Sequence, residues 1–159
     1  MRHILFALGI FAAGAIVAVG FYSFYGRTAG ETRATLSDFP GYQTSTVQID
    51  GTAIRVAIAD TSALQELGLG NRDSLPMGEG MLFVFGVDKE YAFWMKDMRF
   101  SIDMVWLSAT GSIVYMAQNV SPATYPEDFV PTAPARYVLE LPAGYALEHG
   151  IKVGDIATF

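Results

Sequence analysis

Alternating apolar and polar residues divide the chain beyond residue 46 into short extended runs. In VQIDGTAIRVAIA, residues 47–59, Asp50-Gly51 separates two alternating arms and supplies the positive φ angles of a tight hairpin turn. Ile54, Val56 and Ile58 share one face of the second arm. The pattern predicts further strands over MLFVF (81–85), YAFWMK (91–96), IDMVWL (102–107), IVYMAQNV (113–120), RYVLEL (136–141) and the end of IKVGDIATF (151–159). VDKE (87–90) and SATGS (108–112) read as turns, and NRDSLPMGEG (71–80) as a loop.

Two segments carry helix signals. In DTSALQELG (60–68), Asp60 or Thr61 can cap a short helix that Gly68 ends. PAGYALEHG (142–150) opens on Pro142 and stops at Gly150, with His149 near its C-terminal end. Between them, SPATYPEDFVPTAPA (121–135) holds four prolines and reads as a long ordered loop or flap. The expected fold class is mainly β, with α+β character at its margins: a compact, small β-barrel-like domain of about seven short strands and two short helices.

The start of the chain has a different pattern. Residues 4–25, ILFALGIFAAGAIVAVGFYSFY, contain no charge. As a helix they would span roughly 33 Å, enough for a bilayer core of about 30 Å. They read as a signal-anchor helix, or as a signal peptide cleaved near Ala18-Val19-Gly20. Residues 26–46, rich in Gly, Ser and Thr and without a period, read as a flexible tether. The division is thus 1–25 anchor or signal, 26–46 tether and 47–159 a single mainly β domain. It places the domain at the cell membrane facing the periplasm or exterior, or exports it after cleavage.

Charge and composition narrow the function. Beyond residue 33 there are seven basic and fifteen acidic residues, a net of −8. Such a domain is a poor candidate for nucleic acid or an anionic membrane surface through bulk charge. With no cysteine there are no disulfides and no thiol chemistry. The two histidines are His3 and His149, so neither a zinc cluster nor a Ser-His-Asp triad is indicated. GLGNRD (68–73) has two glycines but follows a helix rather than a strand, so it is not a dinucleotide fingerprint. Asp103 and Glu140 alone are too few to specify a divalent cation, and no metal or cofactor is assigned.

The remaining chemistry is charge set in β runs. Asp103 interrupts an apolar strand whose two faces are both oily, so it should be covered on both sides. A carboxylate there needs a cation or backbone donors. Lys96, Arg99, Arg136 and Arg72 are candidate cations, and the simplest arrangement sets Asp103 and Glu140 beside Lys96 and Arg136 at one end of the domain.

These residues also carry a resemblance. The blocks VAIADTSALQELGLGNRDSLPMGEGMLFVF, FWMKDMRFSIDMVWL and ARYVLELPAGYALEHGIKVGD, in that order, resemble the bacterial and archaeal domain of unknown function 192 family from about Ile54 to Phe159. The resemblance implies a compact, mainly β domain, often behind a signal sequence, and no agreed activity. It implies Arg72, Lys96, Asp103, Arg136 and Glu140 as distinctive polar positions, with Trp94 beside them. The sequence departs from the family pattern at GLGNR, at Ser101 where Pro is typical, and in a Pro-rich loop without cysteines.

The expected function is an envelope-associated binding or assembly module. A mixed-charge cleft of Arg72, Trp94, Lys96, Asp103, Arg136 and Glu140 would take a polar or anionic small ligand or a protein partner. No recognisable catalytic set is present, which weighs against an enzyme. One alternative is a glycosidase-like hydrolase using Asp103 and Glu140, which needs two carboxyls about 5–10 Å apart. Another is a purely structural protein-interaction domain.

Overall fold

The computed structural model of the protein describes residues 39–159. The apolar run 4–25 and most of the tether lie outside the described residues. Among the described residues, no helix is long and apolar enough to cross a membrane.

The domain is mainly β: seven strands form one sheet, curled into a half-barrel, with two short helices. The strands are β1 (Gln43–Ile49), β2 (Thr52–Ala59), β3 (Glu79–Lys89), β4 (Ile102–Leu107), β5 (Ile113–Val120), β6 (Ala135–Pro142) and β7 (Ala157–Thr158). Their order is β5-β4-β6-β3-β2-β1-β7. The β1–β2 hairpin turns at Asp50 (φ 45) and Gly51 (φ 79), the two positive angles expected of Asp-Gly. β2 and β3 pair in parallel, with α1 (Ser62–Leu67) in the connection. Thr61 caps α1 by accepting from the Leu64 N–H, and the chain leaves the helix at Gly68 (φ 48). The other strand pairs are antiparallel.

The two ends of the strand order meet at one rim. Ser112 bridges Ile156, the Ile113 N–H donates to the Asp155 carbonyl at 2.9 Å, and the Ala157 N–H donates to the Gly111 carbonyl at 2.8 Å. A Cβ on Gly111 would lie 2.2 Å from the Ala157 oxygen, so a side chain there would break this closure.

Strand alternation sorts the apolar residues into two cores, one on each face. Val56, Leu82, Val105, Leu107, Leu139 and Leu141 pack on one side. Met81, Phe83, Met104, Trp106 and Val138 pack on the other, beneath Phe39, Leu69, Leu75 and Met95 from loops. Every residue of β4 is therefore buried, as expected for a strand covered on both sides.

Three segments differ from the sequence expectation. Residues 43–46, read as the end of the tether, open β1 and pair with β2. VDKE is not a clean turn: β3 continues to Lys89, past a register shift between Val84 and Lys89. YAFWMK is not a strand. Only Phe93 makes a bridge, to Phe129, so the segment is an extended flap pinned at one point to the Pro-rich loop. Its Tyr91, Phe93 and Met95 alternate as a strand does, but they cover the sheet from outside instead of joining it.

Candidate functional site

Asp103 and Glu140 are the two buried charged residues among the described positions, at 0% and 5% exposure. Cross-strand register places them. On β4, Asp103 lies opposite Leu141 of β6, and Met104 lies opposite Glu140. Adjacent residues of a strand point to opposite faces, so Asp103 joins the Val105–Leu107 face and Glu140 the Met81–Met104 face. The paired-carboxylate arrangement expected from the sequence does not form, because the sheet itself separates the two groups.

Asp103 answers its burial with backbone donors rather than cations. Its Oδ1 accepts from the Asn119 N–H (2.8 Å) and the Gly144 N–H (3.1 Å), and its Oδ2 accepts from the Ala146 N–H (3.0 Å). Gly144 is the N-cap of α2 (Tyr145–Glu148) and has no side chain to serve as a cap. Asp103 supplies that function from β4 and also ties down the left-handed Asn119 at the end of β5. The cation compensation expected for Asp103 is thus replaced by a three-point structural clamp.

Glu140 has no such partners. Its Oε2 is buried and makes no hydrogen bond among the described residues. Burial pushes its carboxyl up to about 8, so the group is largely neutral at pH 7. Its cross-strand neighbours are Met81 on β3 and Met104 on β4. Gly80 lets β6 approach closely, since a Cβ there would come within 2.8 Å of the Glu140 carbonyl oxygen.

Glu140 borders a cavity of about 350 Å³. Aromatic rings form much of its wall. Phe83 meets Phe93 edge-on with centroids 4.9 Å apart, and Phe85 stacks on Tyr91 at 3.7 Å. Period-2 spacing on β3 puts Phe83 and Phe85 on the Glu140 side of the sheet, and the flap contributes Tyr91 and Phe93. Gln65 of α1 holds the remaining wall in place, its Nε2 donating to the Ala59 and Val84 carbonyls at 3.2 and 2.9 Å. Trp94 and Lys96 line the same cavity; both are exposed, and the Lys96 Nζ lies 5.9 Å from the Trp94 ring centroid. Trp94 also meets the exposed Tyr125 edge-on at 6.1 Å.

The other expected site residues lie elsewhere. Arg136 forms an ion pair with Asp88 of β3. The Arg72 guanidinium covers the Phe39 ring, 3.5 Å from its centroid, and lies 5.8 Å from the Tyr42 ring centroid. Burial raises the Tyr42 phenol, opposed by the Arg72 charge and reinforced by Glu140. Arg72 therefore shares an electrostatic neighbour with Glu140 but does not line the cavity. Arg99 pairs with Asp73 at the surface. Of six expected residues, Trp94, Lys96 and Glu140 come together. Phe83, Phe85, Tyr91, Phe93 and Gln65 were missed as site residues, although the alternation in FVF and YAF was a usable signal.

Among the described residues, no group of three or more His, Cys, Asp or Glu is placed to hold a metal ion. Among the described residues at the cavity, Glu140 is the strongly perturbed carboxyl; Glu79, two residues from its cross-strand partner Met81, also has a buried oxygen without a hydrogen bond but pairs through its other oxygen with Arg55. The arrangement offers recognition: an acceptor or donor at the floor, apolar rings on the walls and a cation at the mouth.

The fold and site define a small half-barrel domain with a flap-lined cavity on the Met81–Met104 face of its sheet. Its family follows from comparison. A family model described as an uncharacterized ACR, DUF192, matches residues 45–159, and the chain belongs to that family. Two solved structures are similar. A protein of unknown function from Novosphingobium aromaticivorans is 30% identical, with 76% of this chain and 88% of that chain covered and a TM-score of 0.71. A candidate transcription regulator from Sinorhizobium meliloti is 28% identical, with 74% and 94% covered and a TM-score of 0.70. No curated protein matches the chain.

Proposed function

We propose that this chain is a small-ligand binding module, held at the cell envelope by its apolar N-terminal run. Its site is the cavity between β3, β6, α1 and the flap. The observation that carries this reading is the buried Glu140 carboxyl, whose Oε2 has no hydrogen-bond partner among the described residues, at a cavity of about 350 Å³. An unpaired buried polar group costs about 1–3 kcal/mol, a cost that a ligand at this position offsets. The volume falls at the small end of the roughly 300–1,000 Å³ typical of ligand sites. Aromatic walls with one polar anchor fit a ligand that combines an apolar body with a single polar head.

Carboxylate-pair hydrolysis finds no support, because Asp103 is occupied by three N–H groups on the other face of the sheet. The charge pattern likewise gives no support for a nucleic-acid partner.

A thermal-shift screen of the full chain against chemically diverse small molecules tests the reading. A true ligand raises the unfolding midpoint by mass action and changes the fluorescence of Trp94. A screen in which every hit acts equally on a Trp94→Ala, Phe85→Ala double variant refutes the cavity as the site. Protease accessibility in intact and permeabilised cells tests the envelope placement, which requires the domain to be cut only from the outer side of the cytoplasmic membrane.

A further inference from the structure

The chemistry of the cavity walls identifies the ligand class, an inference that rests on the cavity being a ligand site. Donors for an anion are confined to the rim and to a protonated Glu140: the Lys96 ammonium, the Trp94 indole N–H and the Ser62 hydroxyl belong to exposed residues, and the inner donors are engaged. The Gln65 Nε2 already donates to two carbonyls and the Tyr91 hydroxyl to the Val87 carbonyl at 2.9 Å. The Gly68, Gly70 and Phe93 amides are bonded to Leu64, Leu67 and Phe129. Lys96 is the one basic side chain of the lining, and it stands exposed at the mouth.

Acceptors and negative potential are plentiful by contrast. The Glu140 Oε2 is buried without a donor, Glu66 sits on the rim, and the ring faces are electronegative. The residues beyond 33 carry a net of −8, which draws cations toward the domain. We propose that the cavity binds a small organic ammonium ion, its N–H groups on the Glu140 carboxyl and its apolar body against the Phe83, Phe85, Tyr91 and Phe93 rings.

The proposal fixes a pH dependence. Lys96 and Tyr91 from the flap and Glu66 from α1 line the cavity with Glu140, while Tyr42, which feels the charges of both Glu140 and Arg72, is outside the lining. On its own strand, Arg136 is tied to Asp88; on β3, Glu79 is paired with Arg55; Asp103 faces the other core. Burial is the cause that raises Glu140, so a bound cation is the partner that restores its charge. Ammonium binding then releases the Glu140 proton to solvent and tightens as pH rises toward 8.

The test titrates the full chain with phenethylammonium, phenylacetate and tetramethylammonium, read by calorimetry and Trp94 fluorescence. Phenethylammonium should bind about tenfold or more tightly at pH 8.5 than at pH 6.0, with proton release at pH 7. Tetramethylammonium, lacking N–H donors, should bind more weakly, and phenylacetate weakest of the three. Glu140→Gln should abolish the pH dependence. Lys96→Met, at an exposed position that leaves folding intact, should tighten phenethylammonium about two- to fivefold by removing a like charge. Tighter binding of phenylacetate, strongest at pH 6.0 and lost in Lys96→Met, overturns the ammonium assignment while leaving the cavity as a ligand site. No response to any of the three probes also overturns the assignment, and the broader thermal-shift screen then decides separately whether the cavity is a site at all.

Discussion

Asp103 and Glu140 are diagonal neighbours on adjacent strands, and they meet burial in opposite ways. Asp103 points toward α2, where three backbone N–H groups converge on its two oxygens. Glu140 points toward the flap, where one of its oxygens meets no donor. The first arrangement closes on itself and joins three elements: β4, the end of β5 and the start of α2. The second is incomplete among the described residues. Two acids of one sheet thus separate by environment into a structural clamp and a candidate binding group, although their residue types and their β context are alike.

The sharpest way to break this comparison is to remove the clamp. Asp103→Ala leaves the Asn119, Gly144 and Ala146 donors without partners in a buried setting. At about 1–3 kcal/mol for each unsatisfied group, partly relieved by entering water, the loss should be about 3–5 kcal/mol. Asp103→Asn should cost less, since its oxygen can still accept while its NH₂ faces at least one N–H. Urea denaturation checks both, the expected signature being a lowered midpoint with an unchanged m-value. A loss below about 1 kcal/mol for the Ala variant would show that the clamp does not hold the fold.

Glu140 should behave in the opposite sense. Its folded pKa lies above its unfolded value, so its stability contribution is fully present below about 4.5 and is lost as pH rises through about 8. Wild-type stability should therefore fall across that window by an amount of order a few kcal/mol. Glu140→Gln should flatten the decline, matching wild type near pH 4 and exceeding it at pH 8.5. Denaturation curves at matched ionic strength provide the measurement. Parallel pH profiles for the two proteins would mean that Glu140 ionises freely and is not buried as described.

The sequence carried this distinction only in part. Alternation in IDMVWL was enough to place Asp103 in a covered strand, RYVLEL was legible as a strand but not as one that buries Glu140, and Asp-Gly and Thr61…Gly68 marked the hairpin and the first helix. Alternation alone does not say how two strands are registered. Only the pairing of Met104 with Glu140, and not with Asp103's own position, puts the acids on opposite faces. Asp103's partners were illegible for a different reason: they are backbone amides, which every sequence has. YAFWMK misled because a flap lying over a sheet shows the same period of two as a strand within it. Its neighbouring Pro-rich loop, joined by the Phe93–Phe129 bridge, is what holds it there.

Two smaller effects sharpen the boundary of the site. Arg136, grouped with the cleft by sequence, pairs instead with Asp88, at about one-third and two-fifths side-chain exposure. Arg136→Met should cost about 0.5–1 kcal/mol and leave the affinity for any cavity ligand unchanged. A substantial change in that affinity would extend the site beyond the residues that line it.

Trp94 should show the smallest change in stability and a large one in recognition. Its side chain is 52% exposed, so Trp94→Ala removes little buried area and should shift stability by no more than about 0.5 kcal/mol. It also removes one wall of the cavity mouth and the ring facing Lys96 and Tyr125. Ligand affinity should fall about tenfold, in line with the share that a single aromatic anchor contributes at a binding site. Set beside Asp103→Ala, the pair forms a double dissociation: one residue holds the fold and leaves the cavity untouched, the other shapes the cavity and leaves the fold untouched. If Trp94→Ala unfolds the domain, or leaves binding unaltered, the flap is part of the core and the division drawn between the two faces of the sheet fails.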